Sequence, residues 1–157
     1  MGNGTEQNPY TREDVLKAIE ENGGKAERLD LSEKIFIQGI DMQRLNLREI
    51  ILKKAILAKA NFEAADLWGA HMEQSVLRDA SFEQATVRAT HFERADLEGG
   101  RFQKAIAWGA HFEDANLRNA SFEESDLWHA HLERTNLEGA DFNGAYLEGV
   151  RFPAGTS

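Results

Sequence analysis

The sequence predicts an all-β fold: a four-sided β-helix of about six coils, preceded by one short N-terminal capping α-helix. Three observations carry this prediction. An apolar residue recurs every five positions from Phe62 to Phe152, interrupted only by Ala107, and a small residue such as Ala60, Ala65 or Ala70 stands two places before each one except the last, where Val150 takes that place. A second period, of twenty, runs through His71, His91, His111 and His131 and through Phe62, Phe82, Phe102, Phe122 and Phe142. A five-residue period matches neither a helix, at about 3.6, nor a flat strand, at about 2. It matches a chain that turns a corner every five residues and sends one large and one small side chain inward each time. Twenty is four fives, so four pentads close one turn. At the inter-strand spacing of ~4.8 Å, six coils make a rod roughly 29 Å long.

The elements follow in order along the chain. Residues 1–10 read as a flexible N-terminus, and residues 11–34 as a capping helix and its link. Thr11 is a good N-cap, Asp14 completes an approximate capping box, and Tyr10 is placed to staple onto Val15. Val15, Leu16 and Ile19 form the apolar stripe, and Gly23 with Gly24 ends the helix. Such a helix covers the open first coil and its unpaired edge. Extrapolating the pentads backwards through Leu57, Leu52, Leu47 and Met42 to Ile37 starts the β-helix at Ile35 and runs it over 35–152. In this register Ile35, Ile40, Leu45 and Ile50 fill the small positions of the first coil, as expected where an end must be covered. Ala107 replaces a Leu or Phe, with Val87 in the same column, which predicts a thinner core there. Residues 153–157 form a short tail with no covering helix, so the last coil is left exposed or joined to a second copy of the chain.

Segments such as ANFEAADLWGA from Ala60, AHFEDANLRNASFEESDL and NLEGADFNGAYLEGV repeat the loose pattern A(D/N)LXX. On these residues the chain resembles the pentapeptide-repeat family over about three-quarters of its length. The resemblance implies a right-handed quadrilateral β-helix, the handedness coming from the family and the four sides from the spacing. Family precedent includes homodimers joined through the uncapped C-terminal coil, one of the two arrangements open to this end. Some family proteins are acidic rods that mimic duplex DNA and bind DNA gyrase. The columns Glu63–Glu83–Glu123–Asp141 and Glu73–Glu93–Glu113–Glu133 are compatible with that role.

Composition narrows the function. The 157 residues include no cysteine, which excludes disulfides, thiol chemistry and zinc–thiolate sites, and no apolar run is long enough to span a membrane. The N-terminus lacks the regions of a signal peptide, and Glu6 breaks the myristoylation pattern, so a cytoplasmic location is the default expectation. The net charge is -9, yet residues 1–60 carry ten basic and ten acidic side chains; the excess belongs to residues 61–157. An acidic body disfavours direct binding of nucleic acid, whose phosphates need Lys and Arg. There is no Gly-rich phosphate loop, no HExxH and no convergent Ser-His-Asp set, so no enzyme is expected and no cofactor.

Stacked coils turn every surface position into a ladder. Arg78–Glu98–Arg118–Glu138 and Gln74–Arg94–Asp114–Arg134 alternate in charge or polarity and are expected to hold the coils in register. The unusual face reads WGAHME, RATHFE, WGAHFE and WHAHLE in successive coils. It presents a Trp68–Arg88–Trp108–Trp128 column, a His71–His91–His111–His131 column and a Glu73–Glu93–Glu113–Glu133 column. Arg88 is expected between indole rings, and Trp with Arg is the combination that anchors protein interfaces. These twelve residues are the candidate partner-binding site, for a protein partner whose identity the sequence leaves open. A structural spacer with no partner is the alternative. Metal binding is not expected, because neighbours on a ladder point the same way and do not converge.

Overall fold

The computed structural model describes residues 1–156; the end of the predicted 153–157 tail, Ser157, lies outside them. Parallel bridges pair residues twenty apart throughout the body: Asn61 with Ser81, Asp66 with Thr86, His71 with His91 and Val76 with Asp96, continuing to His131 with Arg151. Within each pentad the backbone closes a turn. The Ala65 N–H donates to the Phe62 carbonyl at 3.0 Å, and the same bond recurs at Ala70–Leu67 (2.9 Å) and Ala80–Leu77 (3.0 Å). The third residue of each such turn has positive φ, as at Ala64 (55°), Gln74 (59°) and Asp79 (56°), the mark of a type II turn. The D/N of the repeat also has a local cause. Asn61 Oδ1 accepts the N–H of Glu63 at 3.0 Å, and Asp66 Oδ1 accepts that of Trp68 at 3.1 Å, so the side chain secures the N–H that enters the corner.

Four apolar columns fill the interior. Phe62, Phe82, Phe102, Phe122 and Phe142 stack with ring centroids 4.7–5.1 Å apart. Phe92 and Phe112 stack at 5.0 Å in the column opposite and meet the first column edge-on, Phe92 with Phe102 at 5.9 Å and Phe112 with Phe122 at 5.7 Å. Ala107 is compensated within its own coil. The coil of Phe122, Leu127, Leu132 and Leu137 holds one ring, whereas that of Phe102, Ala107, Phe112 and Leu117 holds two; Val87 likewise accompanies Phe82 and Phe92. The expected thinning is thus a trade of volume between neighbouring columns.

Helix α1, Arg12–Glu21, carries the predicted capping box: Thr11 Oγ1 accepts from the Asp14 N–H, and Asp14 accepts from the Thr11 N–H at 2.8 Å. The Gly2 N–H also donates to Asp14, and these backbone donors hold its carboxyl below the usual range, the Thr11 N–H most of all. Residues 1–10, read from the sequence as flexible, are tied to the first coil. The Ile35 N–H donates to the Gly4 carbonyl at 2.8 Å, Tyr10 bridges Phe36, and the Tyr10 ring meets Phe36 edge-on at 5.6 Å. Val15 and Ile19 face the core, but Leu16 is exposed.

The register of the first coil needs correction. Phe36 is 4% exposed and Ile37 39%, so Phe36, not Ile37, points inward. Asp30 pairs with Ile51 and Ile35 with Ile56, an offset of twenty-one, while Asp41 pairs with Asn61 at twenty. One extra residue lies between Phe36 and Met42, and Gly39 (φ 73°) takes the corner that follows. With the phase shifted, Leu31 and Ala26 are the preceding inward residues, and the Arg28 N–H pairs with the Glu49 carbonyl at 3.1 Å. Coiling therefore begins near Ala26 rather than Ile35, and Ile35 occupies an outward position. At the other end Leu137, Phe142, Leu147 and Phe152 are only partly buried and line an open apolar cleft of about 420 Å³ with Ala140 and Thr156.

Candidate functional site

The three predicted columns lie side by side on one face and its two corners. The Trp residues occupy the first turn position after Leu67, Ala107 and Leu127, the His residues the outward strand position, and the Glu residues the corner beyond. His and Glu are two apart, on either side of the inward Met72, Phe92, Phe112 and Leu132, so His stands on the strand and Glu opens the turn that follows it.

Trp68, Trp108 and Trp128 are 36–43% exposed. The Arg88 guanidinium lies over the Trp108 ring at 4.2 Å, but the cation over Trp68 is Arg48, at 4.9 Å. Each arginine thus covers the indole one coil further on, which corrects the picture of Arg88 between two rings. Trp128 meets Trp108 at 5.9 Å, nearly perpendicular, and His129 at 4.3 Å. Trp108 and Trp128 line a shallow cleft of about 210 Å³ with Asp126 and Tyr146, whose hydroxyl donates to Glu148. Arg48, Asp126, His129 and Tyr146 were missed by sequence reasoning. Arg48 was legible, since it lies two coils before Arg88 in the same twenty-residue series; the other three depend on side-chain placement.

The four imidazoles form a continuous stack. Centroids are 4.6 Å apart for His71–His91, 4.9 Å for His91–His111 and 4.5 Å for His111–His131. The first two pairs are within 3° of parallel, whereas His111 and His131 are splayed by 17°. Nδ1 of His71, His91 and His111 lies 3.0, 2.9 and 3.1 Å from Oε1 of Glu73, Glu93 and Glu113. His131 Nδ1 stands 3.7 Å from both Glu113 and Glu133. The glutamates do not simply face water, as their spacing suggested. Their side chains are 20–31% exposed, and the Oε2 atom of each is buried with no hydrogen-bond partner among the described residues. Cations lie at the two ends of the column: Lys53 Nζ is 3.9 Å from Glu73 and Arg151 is 3.7 Å from Glu133. The hydrogen bond that His91 Nδ1 donates to Glu93 raises the His91 pKa against the opposing effect of burial, with the charges of Glu93, Glu73 and Glu113 adding to it. For Glu93 burial acts upward, but the bond to His91 and the nearby imidazoles bring its carboxyl below the ordinary value.

Two groups, His71–Glu73–His91 and His111–Glu113–His131, bring three potential metal-ligand atoms within 4.8 Å of one another. On the neighbouring corner Arg134 clasps Asp114 with a two-pronged pair at 2.9 and 3.1 Å, which lowers the Asp114 pKa. Arg78 reaches Glu98 at 3.0 Å and Arg118 reaches Glu138 at 3.6 Å. Asp141, grouped from the sequence with Glu63, Glu83 and Glu123, instead bridges Ser121 in a different column.

Parallel pairing at a fixed twenty-residue offset, with the same inward and outward positions repeated in each coil, defines a solenoid repeat protein. The chain belongs to the pentapeptide-repeat family: eight copies of the family's repeat model match, over residues 38–69, 55–94, 95–127 and 115–152, and membership implies a right-handed β-helix. Among solved structures, a pentapeptide repeat protein from the cyanobacterium Cyanothece 51142 is 21% identical over 87% of this chain and 96% of its own, with a TM-score of 0.33. QnrB1, a plasmid-mediated fluoroquinolone resistance protein, is 19% identical over 80% of this chain, with a TM-score of 0.50; the match spans 65% of QnrB1. HetL, a pentapeptide repeat protein involved in heterocyst differentiation regulation in Nostoc sp. strain PCC 7120, is 19% identical over 94% of this chain and 99% of its own, with a TM-score of 0.33. At these identities the likeness bears on the fold alone. No curated protein sequence matches significantly. Among the described residues, no helix is long and apolar enough to cross a membrane.

Proposed function

We propose that this protein is a non-catalytic interaction scaffold of about six coils that binds a protein partner on its Trp/His/Glu face. One observation carries the reading: three tryptophans stand exposed in a single column, two of them overlaid by Arg48 and Arg88, beside an open apolar cleft. Exposed indoles grouped with arginine are what a protein interface buries at its centre. A spacer has no use for them, because the coils are already held by backbone ladders and the Phe columns.

The DNA-mimic reading finds less support. Glu73, Glu93 and Glu113 are half-buried and bonded to imidazoles, so they do not project as free phosphate-like charges. Gln103 interrupts the Glu63–Glu83–Glu123 column. The open C-terminal end, with Leu137, Phe142, Leu147 and Phe152 partly exposed, supports a homodimer of end-to-end coils.

The test is affinity capture with the wild-type protein and with the triple variant Trp68→Ser, Trp108→Ser, Trp128→Ser, after circular dichroism has shown both folded. A partner retained by the wild type and lost by the variant is expected. Identical sets of bound proteins would refute the assignment of this face.

A further inference from the structure

We propose that His111, Glu113 and His131 form a binding site for a divalent transition-metal ion of the zinc class. Stacked imidazoles converge on one ion only where they turn out of parallel, because a metal must lie near the plane of each ring that binds it. Lower in the column the rings are within 3° of parallel, whereas at the top the stack begins to open, with His111 and His131 splayed by 17°. Glu113 Oε1 approaches both imidazoles, 3.1 Å from His111 Nδ1 and 3.7 Å from His131 Nδ1. All three ligand atoms lie within 4.8 Å of one another. A tetrahedral zinc ion with bonds of about 2.0–2.1 Å places its ligands roughly 3.3 Å apart. Closing the set requires the two rings to turn further toward each other about their side-chain torsions.

The charges also distinguish this triad from its lower counterpart. Glu73 in the lower triad already has the Lys53 ammonium 3.9 Å away, a cation that competes with a metal. Glu113 has no Lys or Arg nitrogen within 4.0 Å among the described residues, and its Oε2 is buried there without a hydrogen-bond partner. His131 Nδ1 stands at 3.7 Å from both Glu113 and Glu133, beyond hydrogen-bonding reach of either, so turning its ring breaks no short bond to these carboxylates. Imidazole and carboxylate ligands without thiolate suit zinc, cobalt, nickel or copper rather than calcium or magnesium. Solvent or Glu133 completes the coordination. The site does not depend on a partner covering this face.

The test uses the purified full chain, stripped of metal and titrated with Zn²⁺ alone by calorimetry, with Co²⁺ absorption as a report of geometry. One saturable site is expected, with affinity lowered at least about tenfold in His111→Gln and in His131→Gln and unchanged in His71→Gln. A tetrahedral Co²⁺ spectrum lost in the first two variants and kept in the third is the matching signature. Matched melting curves establish that the variants fold. No saturable Zn²⁺ binding, an affinity unchanged in His131→Gln, or an equal loss in His71→Gln would overturn the assignment. Because no partner is present, failure here leaves the interaction reading untouched.

Discussion

Replacing Ala107 with Leu restores the common residue at an inward position and is expected to destabilise the protein. The reason lies in the two Phe residues of that coil. Phe112 stacks on Phe92 at 5.0 Å and meets Phe102 and Phe122 edge-on at 5.6 and 5.7 Å, filling the volume that Ala107 leaves in its own coil. Adding side-chain carbons to such a filled layer costs about 1–3 kcal/mol. Phe112→Leu alone forfeits three aromatic pairs, each worth about 0.5–1.5 kcal/mol beyond area, and so costs roughly 2–4 kcal/mol. In that background Ala107→Leu reproduces the Phe, Leu, Leu, Leu composition of the coil above and becomes neutral or stabilising. Urea unfolding of the four proteins in the cycle measures the coupling, expected to be at least about 1 kcal/mol and favourable. An Ala107→Leu that stabilises the wild type, or costs the same in both backgrounds, would refute volume exchange between the columns.

Other outcomes are expected on the surface and at the ends. His91 has a raised pKa, so its pairing with Glu93 contributes stability that is full below the ordinary histidine value of 6.5 and is lost as pH rises through the higher folded value. Glu93 has a lowered pKa, so its contribution is present above 4.5 and lost as pH falls through the folded value. In metal-free buffer the melting-temperature gap between wild type and His91→Gln is therefore widest between these limits and narrows above them; a gap that grows toward pH 9 contradicts the pairing. Sedimentation is expected to show a dimer that Leu147→Asp converts to monomer, and a wild type monomeric at all concentrations removes the end-to-end contact. DNA gyrase supercoiling should be unaffected by the protein, and inhibition relieved by changing Glu73, Glu93, Glu113 and Glu133 to Gln would favour mimicry instead.

The solenoid was legible because each corner makes the same demand: one small residue and one large one inward, with Asn or Asp to accept an N–H at the turn. The phase of the first coil was not, because Ile35, Phe36 and Ile37 are all apolar and any of the three satisfies a hydrophobicity pattern. A signal was present nonetheless. Leu29-Asp30-Leu31 repeats the pattern one residue out of phase, and Asp30 accepts the Ser32 N–H at 2.9 Å as Asp66 does for Trp68. At the site, columns follow from the period, so Trp, His and Glu neighbours were readable. The splay of His131, the buried Oε2 atoms and the cleft that Asp126 and Tyr146 form with Trp108 and Trp128 were not, since they depend on side-chain rotamers rather than on position in the repeat.

The account rests most heavily on one face of the rod being the one that meets a partner. A photo-crosslinking residue placed at Trp108 and, separately, at Ser121 on the opposite face tests this in living cells. A discrete protein adduct is expected from position 108 and none from position 121. Adducts from both positions, or from position 121 alone, would contradict it.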